Sequence, residues 1–197
     1  MFTGIIQHTG KVINVDRSGS NVQFIIESDI SAGLKVDESL SHNGVCLTVE
    51  SINGKTYQVT AVEETLEKTN AKHWKSGTNI NLEQAMIMNS RLDGHIVQGH
   101  VDDVCICTNK NDRNGSWEFS FQFDPKFAPL MIEKGSVCLN GVSLTAYNVT
   151  GNEFSVSIIP YTWEHTNFNS LDVDDNVNIE FDILGKYVQR MMGLQKN

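Results

Sequence analysis

Apolar residues in the first half of the chain fall in short runs between turn residues, at Lys11–Val15, Val22–Glu27, Val45–Ile52, Thr56–Val62 and Asn79–Leu82. Runs this short and rich in Val, Ile, Phe and Thr predict strands. Asn53-Gly54 separates two of them and predicts a type I′ hairpin turn, whose central residues both need positive φ; Thr150-Gly151-Asn152 takes that place in the second half. Strands at this spacing, with little helix between them, predict an all-β barrel or sandwich in each half. Two segments per half break the pattern. Glu63–Thr69 and Tyr161–Thr166 are polar and predict one helical turn each, and Ser28–Leu34 and Pro125–Ile132 carry apolar residues at helical spacing. After Ile183, Leu184, Tyr187, Val188 and Met191 predict a terminal amphipathic helix, its stripe needing either a groove on its own chain or the same stripe on another copy.

The pattern occurs twice. His42-Asn43-Gly44-Val45-Cys46-Leu47-Thr48 returns 97 positions later as Leu139-Asn140-Gly141-Val142-Ser143-Leu144-Thr145, and the same offset carries Thr65, Thr69 and Asn70 onto Thr162, Thr166 and Asn167, and Asn81-x-Glu83 onto Asn178-x-Glu180. A repeat of this length predicts two domains of roughly 95 residues, not a solenoid. Their expected bounds are residues 1–94 and 95–184, with the helix at 185–197 and the short polar junction Asn89 to Gly94 setting the domains side by side. Cys46 in one copy stands against Ser143 in the other, so the two copies predict related pockets that are not equivalent.

Charge narrows the ligand. With 15 Lys and Arg against 24 Asp and Glu, the formal net charge is −9 and no basic cluster makes a local exception, which argues against nucleic acid and for a small neutral ligand. The start of the chain has no basic, apolar signal pattern and no stretch approaches membrane-spanning length, so a cytoplasmic protein without membrane contact is expected. Cys46, Cys105, Cys107 and Cys138 lack zinc-site spacing, and the last three read as small buried hydrophobes.

Five segments in order, Met1-Phe2-Thr3-Gly4-Ile5-Ile6, Asn43-Gly44-Val45-Cys46-Leu47-Thr48-Val49, Gly94-His95-Ile96-Val97-Gln98-Gly99-His100-Val101-Asp102, Gly141-Val142-Ser143-Leu144-Thr145 and Ile159-Pro160-Tyr161-Thr162, closely resemble the riboflavin synthases of the alpha-chain type, over essentially the whole chain. The resemblance implies two six-stranded Greek-key barrels and a terminal helix that joins three copies, with active sites between the first barrel of one copy and the second of another. It implies dismutation of two 6,7-dimethyl-8-ribityllumazine molecules to riboflavin and 5-amino-6-(D-ribitylamino)uracil, without metal or cofactor. It leaves open an association with lumazine synthase. The alternative on the same fold is a non-catalytic lumazine- or flavin-binding antenna protein, which needs the pocket but not the reactive groups.

Similarity to that family places Gly4, Ile5, Ile6, Cys46, Leu47, Thr48, Thr60, Ala61, Val62, Glu63, Glu64 and Thr65 around the first-barrel ligand. It places Gly99, His100, Val101, Lys134, Ser143, Leu144, Thr145, Ile159, Pro160, Tyr161, Thr162, Trp163 and Glu164 around the second. Recognition is expected from backbone groups and small hydroxyls, which suits Thr48 and Thr145. His100 is the candidate acid/base, because a ring methyl must lose a proton and the first copy has only Ile5 at this place. Ser143 is expected to work with His100 in the second-barrel site, and Cys46 to line the opposite one, where the resemblance adds Ser39; Cys46, His100, Ser143 and Thr145 form the reactive set. His95, an odd number of residues from His100, falls on the other face of a strand, which argues against a shared metal. Asn140 stands where the family often has Asp and removes a carboxylate from that segment.

Overall fold

Alternation carries into the structure strand by strand. In the computed structural model, which describes residues 1–194, β2 (Asn21–Glu27) pairs antiparallel with β6 (Thr56–Ala61), setting the buried Val22, Phe24 and Ile26 opposite the buried Ala61, Val59 and Tyr57. These strands join β1 (His8–Ser18), β3 (Ser39–His42), β4 (Val45–Thr48), β5 (Ser51–Asn53) and β7 (Asn79–Gln84) in a sheet ordered β4-β3-β7-β1-β2-β6-β5. β4 returns beside β6 and curls the sheet into a barrel around Phe24, Leu40, Val59, Ile80 and Leu82. The second half repeats this with β8 (Asp103–Asp112), β9 (Trp117–Gln122), β10 (Ser136–Leu139), β11 (Val142–Thr145), β12 (Glu153–Ile158) and β13 (Asn176–Phe181), ordered β11-β10-β13-β8-β9-β12. Phe119, Phe121, Phe154, Phe168 and Phe181 fill its core.

Three details differ from expectation. The run Val45–Ile52 is two strands: it breaks at Val49 and Glu50, whose amides donate to Glu38 O and Gln58 O, so the first barrel has seven strands. The second has six, and only an isolated bridge, Tyr147 to Ser155, stands where β5 would be. The hairpin loop is Gly54-Lys55, since Asn53 pairs with Thr56; Gly54 has φ 60° and Lys55 is not left-handed, the pattern of a type II′ turn and not type I′. The polar segments are α1 (Glu63–Lys68) and α2 (Pro160–His165), while Asp29–Gly33 and Pro125–Leu130 are 3-10 turns. α3 spans Ile183–Leu194, and residues 195–197 of the expected helix lie outside the described residues. Lys186 on α3 ties it to Asp102 at 2.6 Å.

Where the halves meet, six asparagines from matched positions bond reciprocally. Asn81 Nδ2 donates to Asn140 O and Asn178 Nδ2 to Asn43 O, both at 2.9 Å, while Asn70 Nδ2 donates to Asn140 Oδ1 at 3.2 Å and Asn167 Nδ2 to Asn43 Oδ1 at 3.0 Å. Among the described residues no buried side-chain polar atom lacks a partner, so the interface orients the barrels without an unsatisfied polar cost. Asn43 and Asn140 hold left-handed backbone (φ 48° and 45°), and Gly44 and Gly141 pass so closely that a Cβ on either would lie within 3 Å of the other's backbone nitrogen.

The arms leading into β1 and β8 cross between the barrels. Phe2 and Val97 form an antiparallel bridge, each amide donating to the other carbonyl. Buried carboxylates hold the turn beside it: Glu83 accepts from Thr3 N, Thr3 Oγ1 and Gly4 N, and Glu180 from the amides of Gln98, Gly99 and His100. Desolvation pushes the Glu180 pKa up to about 7, against the amides of Gln98 and His100 and the charge of Lys186. Past the bridge each arm docks on the other half's barrel. Ser143 N donates to Gly4 O at 2.7 Å and Ile6 enters the second core, while Cys46 N donates to Gly99 O at 2.9 Å and Val101 packs on the first.

Candidate functional site

β11 presents alternate residues outward. Val142 and Ala146 point into the core, so Ser143, Thr145 and, beyond the strand end, Tyr147 line a cavity of about 650 Å³ on the flank of the second barrel. Lys134 and Ser136 border it from β10 and the turn before, Ser157 from β12, and Ile159 and Thr162 from the cap and first turn of α2. The arm supplies Ile5, and the interdomain junction supplies Asp93 and Gly94. Its size suits one bicyclic heterocycle with a short side chain. Ser143 Oγ lies 2.6 Å from His95 Nδ1. Desolvation lowers the His95 pKa, opposed by the charge of Asp182, so the ring is held neutral and the hydroxyl is paired with an imidazole able to give or take its proton.

The repeat gives the first barrel a matching seat. Ser39, Cys46, Thr48, Glu50, Thr60, Val62 and Thr65 stand where Ser136, Ser143, Thr145, Tyr147, Ser157, Ile159 and Thr162 stand in the second. Ser39 pairs across β3 and β4 with the exposed Thr48, and the half-buried Cys46 abuts Gly99, whose added Cβ would lie 2.6 Å from Cys46 Cβ. Positive φ at Gly99 (80°), and at Gly4 (76°) in the equivalent contact with Ser143, lets each arm lie this close. The residue after Gly99 is the exposed His100, and after Gly4 the exposed Ile5.

A lumazine-binding domain model matches residues 3–85 and again 98–182. Riboflavin synthases resemble the chain along its length: that of Photobacterium phosphoreum is 36% identical over 198 residues, covering 100% of this chain and 91% of the relative. That of Bacillus subtilis (strain 168) is 34% identical over 193 residues, 98% of this chain and 90% of the relative, and that of Saccharomyces cerevisiae 34% over 205 residues, 98% and 86%. The chain belongs to the riboflavin synthase family. Solved structures of LumP complexed with riboflavin (TM-score 0.86, 20% identity) and with 6,7-dimethyl-8-(1'-D-ribityl) lumazine (TM-score 0.84, 18% identity) share its fold over 92% of this chain and 99% of theirs.

Within this riboflavin synthase family member the crossing arms correct the expected assignment. Gly4, Ile5 and Ile6 belong to the second-barrel seat, and Gly99, His100 and Val101 to the first. His100 therefore stands with Cys46, and the histidine paired with Ser143 is His95. His95 and His100 lie on opposite sides of the crossing, and the described residues contain no cluster of His, Cys, Asp and Glu suited to a metal ion. Lys134 lines the second seat, its Nζ 5.1 Å from the centre of the Tyr147 ring.

Other expected residues point elsewhere. Ala61 and Leu47 face the first core, and Trp163 stacks on Trp117 at 4.0 Å against the second. Glu63 and Glu64 on α1, and Pro160, Tyr161 and Glu164 on α2, are surface residues, with Tyr161 stacked on His165. Leu144 does line the cavity. Asn140 sits in the asparagine interface, its Oδ1 accepting from Asn70 Nδ2 and Asn178 N, so a carboxylate there would orient the barrels and not touch the ligand. Cys105, Cys107 and Cys138 are buried free thiols, as expected. The seat residues missing from the expected set are Asp93, Gly94, His95, Ser136, Tyr147 and Ser157; stepping by two from Ser143 along its strand reaches Tyr147.

Proposed function

We infer that this chain converts two molecules of 6,7-dimethyl-8-ribityllumazine into riboflavin and 5-amino-6-(D-ribitylamino)uracil, transferring a four-carbon unit from one ring to the other. The observation that carries this is the pair of seats, matched position by position and unequal at Cys46 against Ser143 and His100 against Ile5, in a chain of this family. A reaction between two identical molecules needs equal recognition and unequal reactivity. Thr48 and Thr145 stand at matched positions to hold the ring. His100, exposed and next in the chain to the Gly99 that abuts Cys46, takes the proton from a ring methyl in the first-barrel seat, imidazole being the side chain whose ordinary titration lies nearest neutrality. Ser143, paired with His95, serves the addition step in the second.

The two seats that react belong to different copies, and the assembly is a trimer joined through α3. Leu184, Tyr187, Val188, Met191 and Met192 on α3 are all more than half exposed, an apolar stripe that calls for a covering partner. A groove of about 880 Å³ between α3 and the second barrel shares Lys134 and Ser136 with the second seat, so a copy docked there borders the ligand. The free cysteines fit the reducing cytoplasm, and no helix among the described residues is long and apolar enough to cross a membrane. Purified protein given the lumazine alone should release riboflavin and the uracil product in equal amounts. Stoichiometric binding without turnover would instead mark an antenna protein, and a shortened chain ending at Ile183 that still sediments as a trimer would remove α3 from the assembly.

A further inference from the structure

The second-barrel seat has two chemically distinct ends. Ser143 and Thr145 sit where the arm and Gly94 come close, and Tyr147 lies four residues beyond Ser143 along an extended backbone, a span of about 13 Å. That is roughly the reach of a bicyclic ring followed by an extended polyol. At the Tyr147 end the phenol is fixed by its neighbours. Its hydroxyl donates to Glu118 Oε2 at 2.8 Å and lies 3.1 Å from Ser157 Oγ, while Arg113 Nη2 holds the other oxygen of Glu118 at 2.6 Å. Because the phenolic proton goes to the carboxylate, the oxygen is left as an acceptor at the cavity wall. Lys134 Nζ lies over the ring face, 5.1 Å from its centre. The first barrel has no such arrangement: Glu50 stands at the matching position, and its Oε2 accepts from Gln58 Nε2 at 2.9 Å.

We propose that Tyr147 is a specificity-determining residue for the hydroxylated tail of the ligand in the second-barrel seat, accepting a hydrogen bond from a tail hydroxyl while Glu118 and Arg113 hold the phenol in place. This rests on the lumazine reading of the seat and assigns one end of it. The ring end is left to Ser143, Thr145 and Ile5, so the two seats discriminate among tails differently although they share ring recognition.

The test is a two-site fluorescence titration of the full chain with 6,7-dimethyl-8-ribityllumazine and with 6,7,8-trimethyllumazine, which keeps the ring and replaces the tail by a methyl group. Tyr147→Phe should weaken the ribityl compound about fivefold to tenfold at one of the two sites, leaving the other site and the trimethyl compound within about twofold. Glu118→Gln, which loosens the phenol without removing it, should give a smaller loss with the same selectivity. Equal losses for both compounds would mean that Tyr147 only packs on the ring, and no loss for either would remove it from recognition; both outcomes overturn the proposal. Wild-type protein that binds neither compound would overturn the lumazine reading itself, a result separable from a normal wild type that is indifferent to Tyr147.

Discussion

Where the first barrel buries His42 against Tyr57, the second has Leu139 and Phe154. His42 Nδ1 donates to Leu40 O and its Nε2 accepts from the Tyr57 hydroxyl, each at 2.9 Å, so the neutral ring is fully satisfied within the core. Desolvation lowers the His42 pKa to about 4, outweighing the backbone bonds that favour the charged form. The repeat has thus kept side-chain shape while changing polarity. One barrel carries a titratable element in its core and its twin carries hydrocarbon, so two copies of one fold answer differently to acid.

The largest expected effect probes the seats. His100→Ala should lower turnover about a hundredfold or more while changing lumazine binding only a few-fold, whereas Ile5→Ala at the matching place should cost turnover far less. Steady-state kinetics alongside ligand titration separates the two, and an unchanged rate in His100→Ala would remove that residue from the chemistry. Next comes acid stability. His42 binds its proton in the unfolded chain near pH 6.5 and in the folded chain only near 4, so its contribution is present above 6.5 and lost as pH falls through 4, about 3 kcal/mol in all. Urea unfolding from pH 7 to 4 should show that loss in the wild type and not in the double variant His42→Leu, Tyr57→Phe, which copies the second core; parallel curves would refute the assignment.

A smaller effect tests the crossing itself. Gly4→Ala and Gly99→Ala each place a Cβ 2.6 Å from a side chain of the opposite half, Ser143 and Cys46 respectively, at positive φ, and should each cost about 2 kcal/mol in unfolding experiments. A cost at one glycine alone would break the equivalence of the arms. Smallest of all, Cys46→Ser makes the two seats alike at that position; it should lower turnover less than about tenfold if His100 carries most of the inequality, and a larger drop in a kinetic assay would shift that role to the thiol.

Local patterns were readable in advance because their causes are local. Alternation in Val22–Glu27 and Thr56–Val62 reports a barrel wall, and the offset from Asn43 to Asn140 reports two of them. The arms were not readable. Gly4 meets Ser143 and Gly99 meets Cys46 through contacts far apart in sequence, and nothing in so short an arm says which of two similar barrels it docks on. The matched Glu83 and Glu180 were visible only as aligned letters, although they gather the amides that steer each arm. Val45–Ile52 reads as one strand because apolar content continues through Val49, while the break depends on partners at Glu38 and Gln58. The spacing from His100 to His95 speaks only to a shared metal site and presumes one strand, whereas both residues lie in the arm ahead of β8.

Two arms need two crossings, but a chain in tandem has only one connection between its halves. The second arm is the continuation of the junction, and that junction lays Asp93, Gly94 and His95 beside Ser143. Inequality between the seats is therefore partly a matter of wiring. Joining two identical units head to tail already makes their pockets different before any side chain is exchanged, and a linker meant only to connect becomes a wall of one pocket.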